Sequence, residues 1–396
     1  MPSMEARETS NQVTFLVVLP HYNHLKTLRA VAEQCRAVWP HVLVVDDGSD
    51  ESPQTYLQGV DVSFLRQTPN QGKGTAIMTG AAWAQEHGFS HIITIDADSQ
   101  HDPQEIPLFI HAAKQHPKSL ILGVRKFDES VPFGSRFGRK FGNFWVHVQT
   151  GKAVQDIQSG YRCYPVNLLN TLRIRSKRYT FEVEVVVRAL WAGFSIEEIP
   201  VSVSYTDERI SHFSQWKDNG RLTGLNTFLT LRSMLPIAHR QYEEVEGELV
   251  KKSYWQTLKD NLTTPGSVLR NALSAAWGIF CGSIAFIGIR QVWLFWGAGW
   301  WNLNRLLCVG FEKLCIGPFI PALCIEVGYF LRHGHWLTEF TLTTLGKQAL
   351  QRVWEWILGS LVIAPCLAVI VFVSVLLAGW LLRRSLHEHT GRKNRP

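Results

Sequence analysis

The chain has 396 residues, 46% hydrophobic and 18% charged, with a net charge of +7 and a pI near 9.0. That length buries a sizeable core and suits two or three domains, and the basic balance suits an anionic partner: phosphates, acidic lipid or nucleic acid. The seven cysteines contain no CxxC pair or metal-ligand spacing, so they read as reduced thiols rather than a metal centre.

In chain order, the opening MPSMEARETSNQ is polar and lacks the pattern of a signal peptide. The α/β portion is therefore expected in the cytoplasm. Four apolar runs follow: FLVVLP (15–20), VLVVDD (42–47), IITID (92–96) and SLILG (119–123). Runs this apolar, bounded by turn residues, predict strands buried on both faces of a mostly parallel sheet. Between them LKTLRAVAEQCRAVW and GTAIMTGAAWAQEHG carry apolar residues at helical spacing. The predicted fold is α/β over 13–235, with helices flanking the sheet.

From about residue 241 the texture changes. QYEEVEGELVKKSYWQTLKD (241–260) predicts a charged connector helix within 236–260. Residues 261–340 predict a helical membrane region of spans or re-entrant segments, including the uncharged stretch 271–289 and the tryptophan-rich 291–304. Many of the 15 tryptophans lie in this half, where indoles suit a membrane interface. The run 356–382 has 27 residues and no charge, enough to cross a bilayer with tilt. The tail 383–396 carries Arg383, Arg384, Arg392, Lys393 and Arg395 against Glu388, which places the C-terminus in the cytoplasm. A cytoplasmic α/β portion then requires an even number of spans, hence a multi-pass protein of the inner membrane. The membrane flanks account for part of the basic excess, so nucleic acid is not expected as a partner.

Three loops carry the chemistry. VVDDGSDES (44–52) lies just past a strand end, and NQGKGTAIMTGAAWA (70–84) is a second loop with two glycines before a helix, its free amides and Lys73 suited to a phosphate. A capped turn and a plain helix start are the structural alternatives. In IITIDADSQHDP (92–103), Asp96 and Asp98 are one residue apart just past a strand. Hard oxygens so placed suit Mg²⁺ or Mn²⁺ shared with phosphate oxygens.

The ordered set VVLPHYN, VVDDGS, NQGKGTA, DADSQHDP, DIQSGYR (156–162) and FEVEVVVRALWAGFSIEEIPV (181–201) resembles the family 2 inverting glycosyltransferases. Within them it looks most like the polyprenyl- or dolichyl-phosphate sugar synthase branch. The resemblance covers roughly 13–235 and implies the GT-A fold and an activated-sugar donor, a UDP- or GDP-sugar. It places Pro20, Tyr22, Asn23, Asp46, Asp47, Asn70 and Lys73 at the donor nucleotide, with Asp96, Ala97 and Asp98 at its diphosphate. Asp96, Asp98 and Gln100 are implied as metal ligands. In GVRKFDESVPFGSRFGRK (123–140), Arg125 and Arg136 match the family's acceptor-facing arginines best, with Arg139 a rival for the second; a solvated basic loop is the structural alternative. Ser159, Gly160 and Arg162 resemble the acceptor-side loop, and Glu182 or Glu184 is implied at the reaction centre. One departure stands out. In ERISHFSQWKDNGR (208–221), Arg209 and Ser211 match the pattern but His212 stands where a lysine would sit; Arg209 and His212 are implied at the donor diphosphate, with a core or capping histidine the structural alternative. Histidine is cationic at neutral pH only if its pKa is raised.

The resemblance implies sugar transfer to polyprenyl phosphate. A phosphate monoester, second pKa about 6, is already largely ionised at neutral pH and needs no strong base. A hydroxyl acceptor on another membrane lipid would need one, for which Glu182, Glu184 and Asp156 are the candidates. A sugar-nucleotide-binding scaffold is the non-catalytic alternative. The first strand is not followed by GxGxxG, which argues against a dinucleotide oxidoreductase. Homo-oligomerisation is open at this level.

Overall fold

A computed structural model describes residues 13–126, 133–204, 215–234, 239–245, 248–253, 256, 267–285, 289–315, 319–337 and 349–393. The chain divides into two compact units, Met1–Thr230 with His239–Lys251 and Leu231–Ala238 with Lys252–Pro396.

The first unit is built on seven strands: β1 (Phe15–His21), β2 (Val42–Asp46), β3 (Ser63–Arg66), β4 (His91–Thr94), β5 (Leu120–Arg125), β6 (Arg162–Pro165) and β7 (Ile196–Val201). Its helices are α1 (Leu25–Val38), α2 (Lys73–Glu86), α3 (Ile106–Gln115), α4 (Phe133–Thr150), α5 (Val166–Thr171), α6 (Thr180–Ala192) and α7 (Gln215–Met234), whose last residues enter the second unit. The sheet order is β3-β2-β1-β4-β6-β5-β7. All described pairings are parallel except those of β6, which runs against both β4 and β5.

The expected two-sided burial is plain in β1, whose seven residues are all buried. Leu16 and Val18 face α2 and α6, joining Ala76, Ile77, Phe181 and Val185. Phe15, Val17 and Leu19 face α1 and α3, joining Leu28, Val31, Phe109 and Ala113. Successive strand side chains point to opposite faces, so a continuous apolar run serves both layers. Glycine at position 80 lets α2 close on the sheet, since a Cβ there would lie 2.8 Å from Val18 Cγ1.

The connector differs from its expected helix. Residues Tyr242–Val245 (β8) and Glu248–Lys251 (β9) form an antiparallel hairpin. Tyr242 packs against the first unit's core. Tyrosine and valine are strand-favouring residues.

The second unit contains α8 (Ser267–Ser283), α9 (Arg290–Trp300), α10 (Arg305–Leu314), α11 (Phe319–His333) and α12 (Ala349–Lys393). Stretch 271–289 is not one helix: α8 ends at Ser283 and has 17 residues, about 25 Å at 1.5 Å per residue and short of a ~30 Å hydrocarbon layer. Leu307–Leu314 and Phe319–His333 are bent by 65° relative to each other. Among the described residues, Arg352–Leu381 of α12 is the one helix long and apolar enough to cross a membrane. An even count would need the bent pair to serve as a second. Small residues let the helices touch: a Cβ on Gly328 or Gly359 would overlap the backbone of Glu355 or Cys324. Glu355 and Glu312 are buried here, each ion-paired: Arg352 Nη1 lies 2.7 Å from Glu355 Oε2, and Arg290 Nη2 lies 2.7 Å from Glu312 Oε1.

Candidate active site

The site collects where parallel strands end, the usual place for ligands in an open α/β sheet. Beyond β1, Asn23 adopts a positive φ of 53°. Its amide nitrogen donates to Ser49 Oγ at 2.9 Å, and its side chain exchanges hydrogen bonds with Asp50. Pro20 is buried within β1, while Tyr22 is half-buried just past it.

Asp46 and Asp47 are turned inward. Asp46 is fully buried, 3.1 Å from His21 Nδ1 and bonded by Ser49 Oγ. Burial pushes its carboxyl up, but these hydrogen bonds prevail and hold it below the usual carboxylate range. Asp47 accepts from Gly72 N at 2.6 Å, Gln71 N at 2.8 Å and Gln67 Nε2. In this structure the Asp47 carboxylate fastens the 46–50 loop to the 67–72 loop, and that of Asp46 ties the loop to His21 and Ser49. Asn70 Oδ1 has no hydrogen-bond partner among the described residues.

Lys73, the first residue of α2, reaches the opposite wall. Its Nζ lies 2.7 Å from Asp96 Oδ1, 2.9 Å from Asp96 Oδ2 and 2.6 Å from Glu182 Oε1. Burial alone would favour its neutral form, but Asp96 and Glu182 prevail and hold the ammonium charged well above its usual range. Asp96 is correspondingly pulled down by Lys73 against its own burial. Gly160 is required beside them, because a Cβ there would lie 2.5 Å from Lys73 Nζ and 2.6 Å from Asp96 Oδ2.

Asp98 is half-buried and its Oδ1 accepts from Gln100 N at 3.1 Å. Ala97 is buried, its carbonyl held by Thr27. The amide nitrogen Nε2 of buried Gln100 is unpartnered. Next to it, burial drives the His101 imidazole down to about 4, so it is neutral at pH 7. The carboxylates of Asp96 and Asp98 are hard donors that fit a small divalent cation. Among the described residues no group of three or more His, Cys, Asp or Glu is gathered to hold one, so diphosphate and water would supply the remaining ligands.

The two candidate glutamates, two apart on α6, part company. Glu182 meets Lys73, whereas Glu184 accepts from Ser176 N at 2.7 Å, Arg175 N at 3.0 Å and Arg188 Nε. Glu184 is thus corrected to a loop clasp behind the site. Arg162 is corrected likewise. Its guanidinium is fully buried and donates to Ser159 O (2.6 Å), Ile157 O (2.7 Å) and Glu182 O (2.8 Å). It holds the 157–160 loop and α6 together and cannot face an acceptor. Ser159 Oγ is buried without a partner among the described residues.

Arg125, at the end of β5, grips buried Asp156 in bidentate fashion, Nε–Oδ2 2.8 Å and Nη2–Oδ1 2.9 Å. Arg139 on α4 donates to the Arg125 carbonyl at 2.9 Å and lies 3.9 Å from Asp156. Arg136, one turn earlier, is half-buried. Of the two rivals, Arg139 is the one tied to Arg125. Arg209, Ser211 and His212 lie outside the described residues. The missed feature is the Lys73–Glu182 contact, which joins positions 109 apart in sequence.

Comparisons with known proteins follow this geometry. Glycosyl transferase family 2 matches residues 16–171. The undecaprenyl-phosphate mannosyltransferase of Micrococcus luteus is 28% identical over 201 residues, covering 47% of this chain and 82% of that protein. The polyprenol monophosphomannose synthase of Mycolicibacterium smegmatis is 28% identical over 214 residues, covering 50% and 80%. The UDP-N-acetylglucosamine–dolichyl-phosphate N-acetylglucosaminyltransferase of Methanococcus voltae is 26% identical over 215 residues, covering 48% and 86%. Among solved structures, glucosyl-3-phosphoglycerate synthase of Mycobacterium tuberculosis with Mn²⁺ and UDP-glucose aligns with 14% identity and a TM-score of 0.45, covering 64% of this chain and 91% of that one. That score is too low to bear on function. Mostly parallel sheet, loop order and sequence relatives agree: the chain carries a glycosyl transferase family 2 domain and is a glycosyltransferase.

Proposed function

We propose that the protein transfers a sugar from a nucleotide-diphosphate donor to polyprenyl phosphate, with inversion, at the cytoplasmic face of a membrane. One observation carries the choice of acceptor. The three carboxylates that are candidates to deprotonate a hydroxyl are each engaged by a cation: Asp156 by Arg125, Glu184 by Arg188, Glu182 by Lys73. An acceptor that arrives ionised needs none of them. It needs cations, and Arg125, Arg136 and Arg139 stand beyond β5 and along α4.

In the transfer, a phosphate oxygen of the lipid attacks the anomeric carbon as the bond to the donor's β-phosphate oxygen breaks. The nucleoside diphosphate leaves with that electron pair. Attack on the face opposite the leaving group inverts the centre. Asp96 and Asp98 would hold Mg²⁺ or Mn²⁺, which neutralises charge developing on the leaving diphosphate. Arg125, kept rigid by Asp156, fixes the acceptor phosphate in line. The relatives' named lipid-phosphate acceptors support this reading.

The test is release of nucleoside diphosphate from a panel of sugar nucleotides by full-length protein in nanodiscs. Undecaprenyl phosphate is expected to stimulate release and undecaprenol is not, while Arg125→Ala lowers lipid-dependent turnover about a hundredfold. Equal stimulation by the alcohol would instead favour a hydroxyl acceptor.

Membrane attachment is read from α12 and from α9. On α9, Trp293, Trp296 and Trp300 share one face at helical spacing and are each more than 40% exposed. Eleven residues do not span a bilayer, but a tryptophan face suits the headgroup boundary. Lipids brominated near the glycerol end should quench a shallow tryptophan population. The triple change of these residues to phenylalanine should remove it, and unchanged quenching would place α9 outside the membrane.

A further inference from the structure

The Lys73–Asp96–Glu182 cluster has a consequence for how the donor arrives. Lys73 is the only cation bonded to both carboxylates among the hydrogen bonds of the described residues, and it sits between them. Its side chain is 16% exposed, that of Asp96 26% and that of Glu182 8%. In so enclosed a place opposite charges hold one another more firmly than at a surface. Asp96 is thus neutralised by the protein itself, both of its oxygens lying within 3 Å of one ammonium. Gly160 leaves no slack, as its Cα side already abuts the pair.

A divalent cation approaching alone would have to share Asp96 with that ammonium, at a separation where like charges repel. A nucleoside diphosphate changes the balance. Its oxygens offer Lys73 a new anionic partner while Glu182 keeps hold of the same ammonium. We propose that Lys73 is a positioning residue that makes cation binding at Asp96 and Asp98 conditional on the nucleotide diphosphate. The cation and the nucleotide then bind as a cooperative pair, and the site does not fill with metal in the absence of donor. This rests on reading Asp96 and Asp98 as the cation-holding pair.

Free Mn²⁺ measured by electron paramagnetic resonance over the full-length protein tests it, with and without UDP or GDP and with each nucleotide alone as a control. In the wild type, the effective nucleotide is expected to tighten Mn²⁺ about tenfold or more, within the usual range of coupling between sites. Lys73→Met should bind Mn²⁺ about tenfold more tightly than wild type without nucleotide, and lose most of that coupling. Glu182→Gln should act in the opposite direction. It leaves Lys73 wholly to Asp96 and weakens nucleotide-free Mn²⁺ binding, a sign that general damage to Lys73→Met cannot imitate. Nucleotide-coupled Mn²⁺ binding in the wild type with no gain in Lys73→Met and no loss in Glu182→Gln would overturn the inference and leave the cation pair standing. Absence of Mn²⁺ binding in every protein, with or without nucleotide, or binding that survives Asp98→Ala, would overturn the cation pair and the inference together.

Discussion

Arg162→Met should destabilise the first unit by about 4 kcal/mol, because one fully buried guanidinium donates to three carbonyls at once. The guanidinium donates to Ser159, Ile157 and Glu182 without any exposure to water. Methionine fills the space but takes the donor from the buried Ser159 and Ile157 carbonyls, each such loss costing roughly 1–3 kcal/mol, and removes the extra donor from Glu182 within α6. Lysine does little better, since one ammonium does not reproduce a planar fork. For a unit of this size the melting temperature should fall by about 10 °C. Scanning fluorimetry on the full-length protein reads it. A fall of less than about 2 °C would mean that the loop is held by other contacts. Surviving folded protein should also show a loosened Glu182, whose backbone carbonyl Arg162 anchors.

The largest effect on turnover is expected from Asp98→Ala. If Asp98 helps neutralise the departing diphosphate, its loss removes about 4 kcal/mol of transition-state stabilisation, or roughly a thousandfold in kcat/KM. Stability should change little, because the side chain is half-buried at the surface of the site. Asp96→Ala is a less clean experiment, since it also frees Lys73. Single-turnover rates with saturating Mn²⁺ separate a chemical defect from weak cation binding. A tenfold loss or less, at saturation, would move charge neutralisation to another group.

Much of the first unit is legible in the sequence. Strand runs such as FLVVLP are apolar at every position because the sheet is covered on both faces, and no helix or surface strand needs that. The loops follow, because catalytic side chains must leave the sheet where strands end. Direction within a loop is less legible. Asp46 and Asp47 look like ligands in sequence but turn inward, Asp46 to His21 and the nearby Ser49, Asp47 to amides of the 67–72 loop that only folding brings near. Glu182 and Glu184 differ by about 200° around a helix, so one must point away from the site. Which one does is decided by α6 packing against the 175–176 loop. The hairpin at 242–251 was hidden by its charge, which suggested a solvated helix rather than a ribbon docked through Tyr242.

The reversed strand β6 has one more consequence. Because it runs against its neighbours, its first residue, Arg162, is level with Thr94 near the end of β4 and with Leu122 on β5. The segment before β6 therefore enters the very rim that the segments after β4 and β5 leave. A parallel strand there would have carried residues 156–160 to the far side of the sheet. The stretches after β4 and β5 and the one before β6 therefore converge on one rim. Asp156 and Ile157 on that incoming segment are tied to Arg125 and to Arg162, so the reversed strand pins the rim at the point where the segments meet.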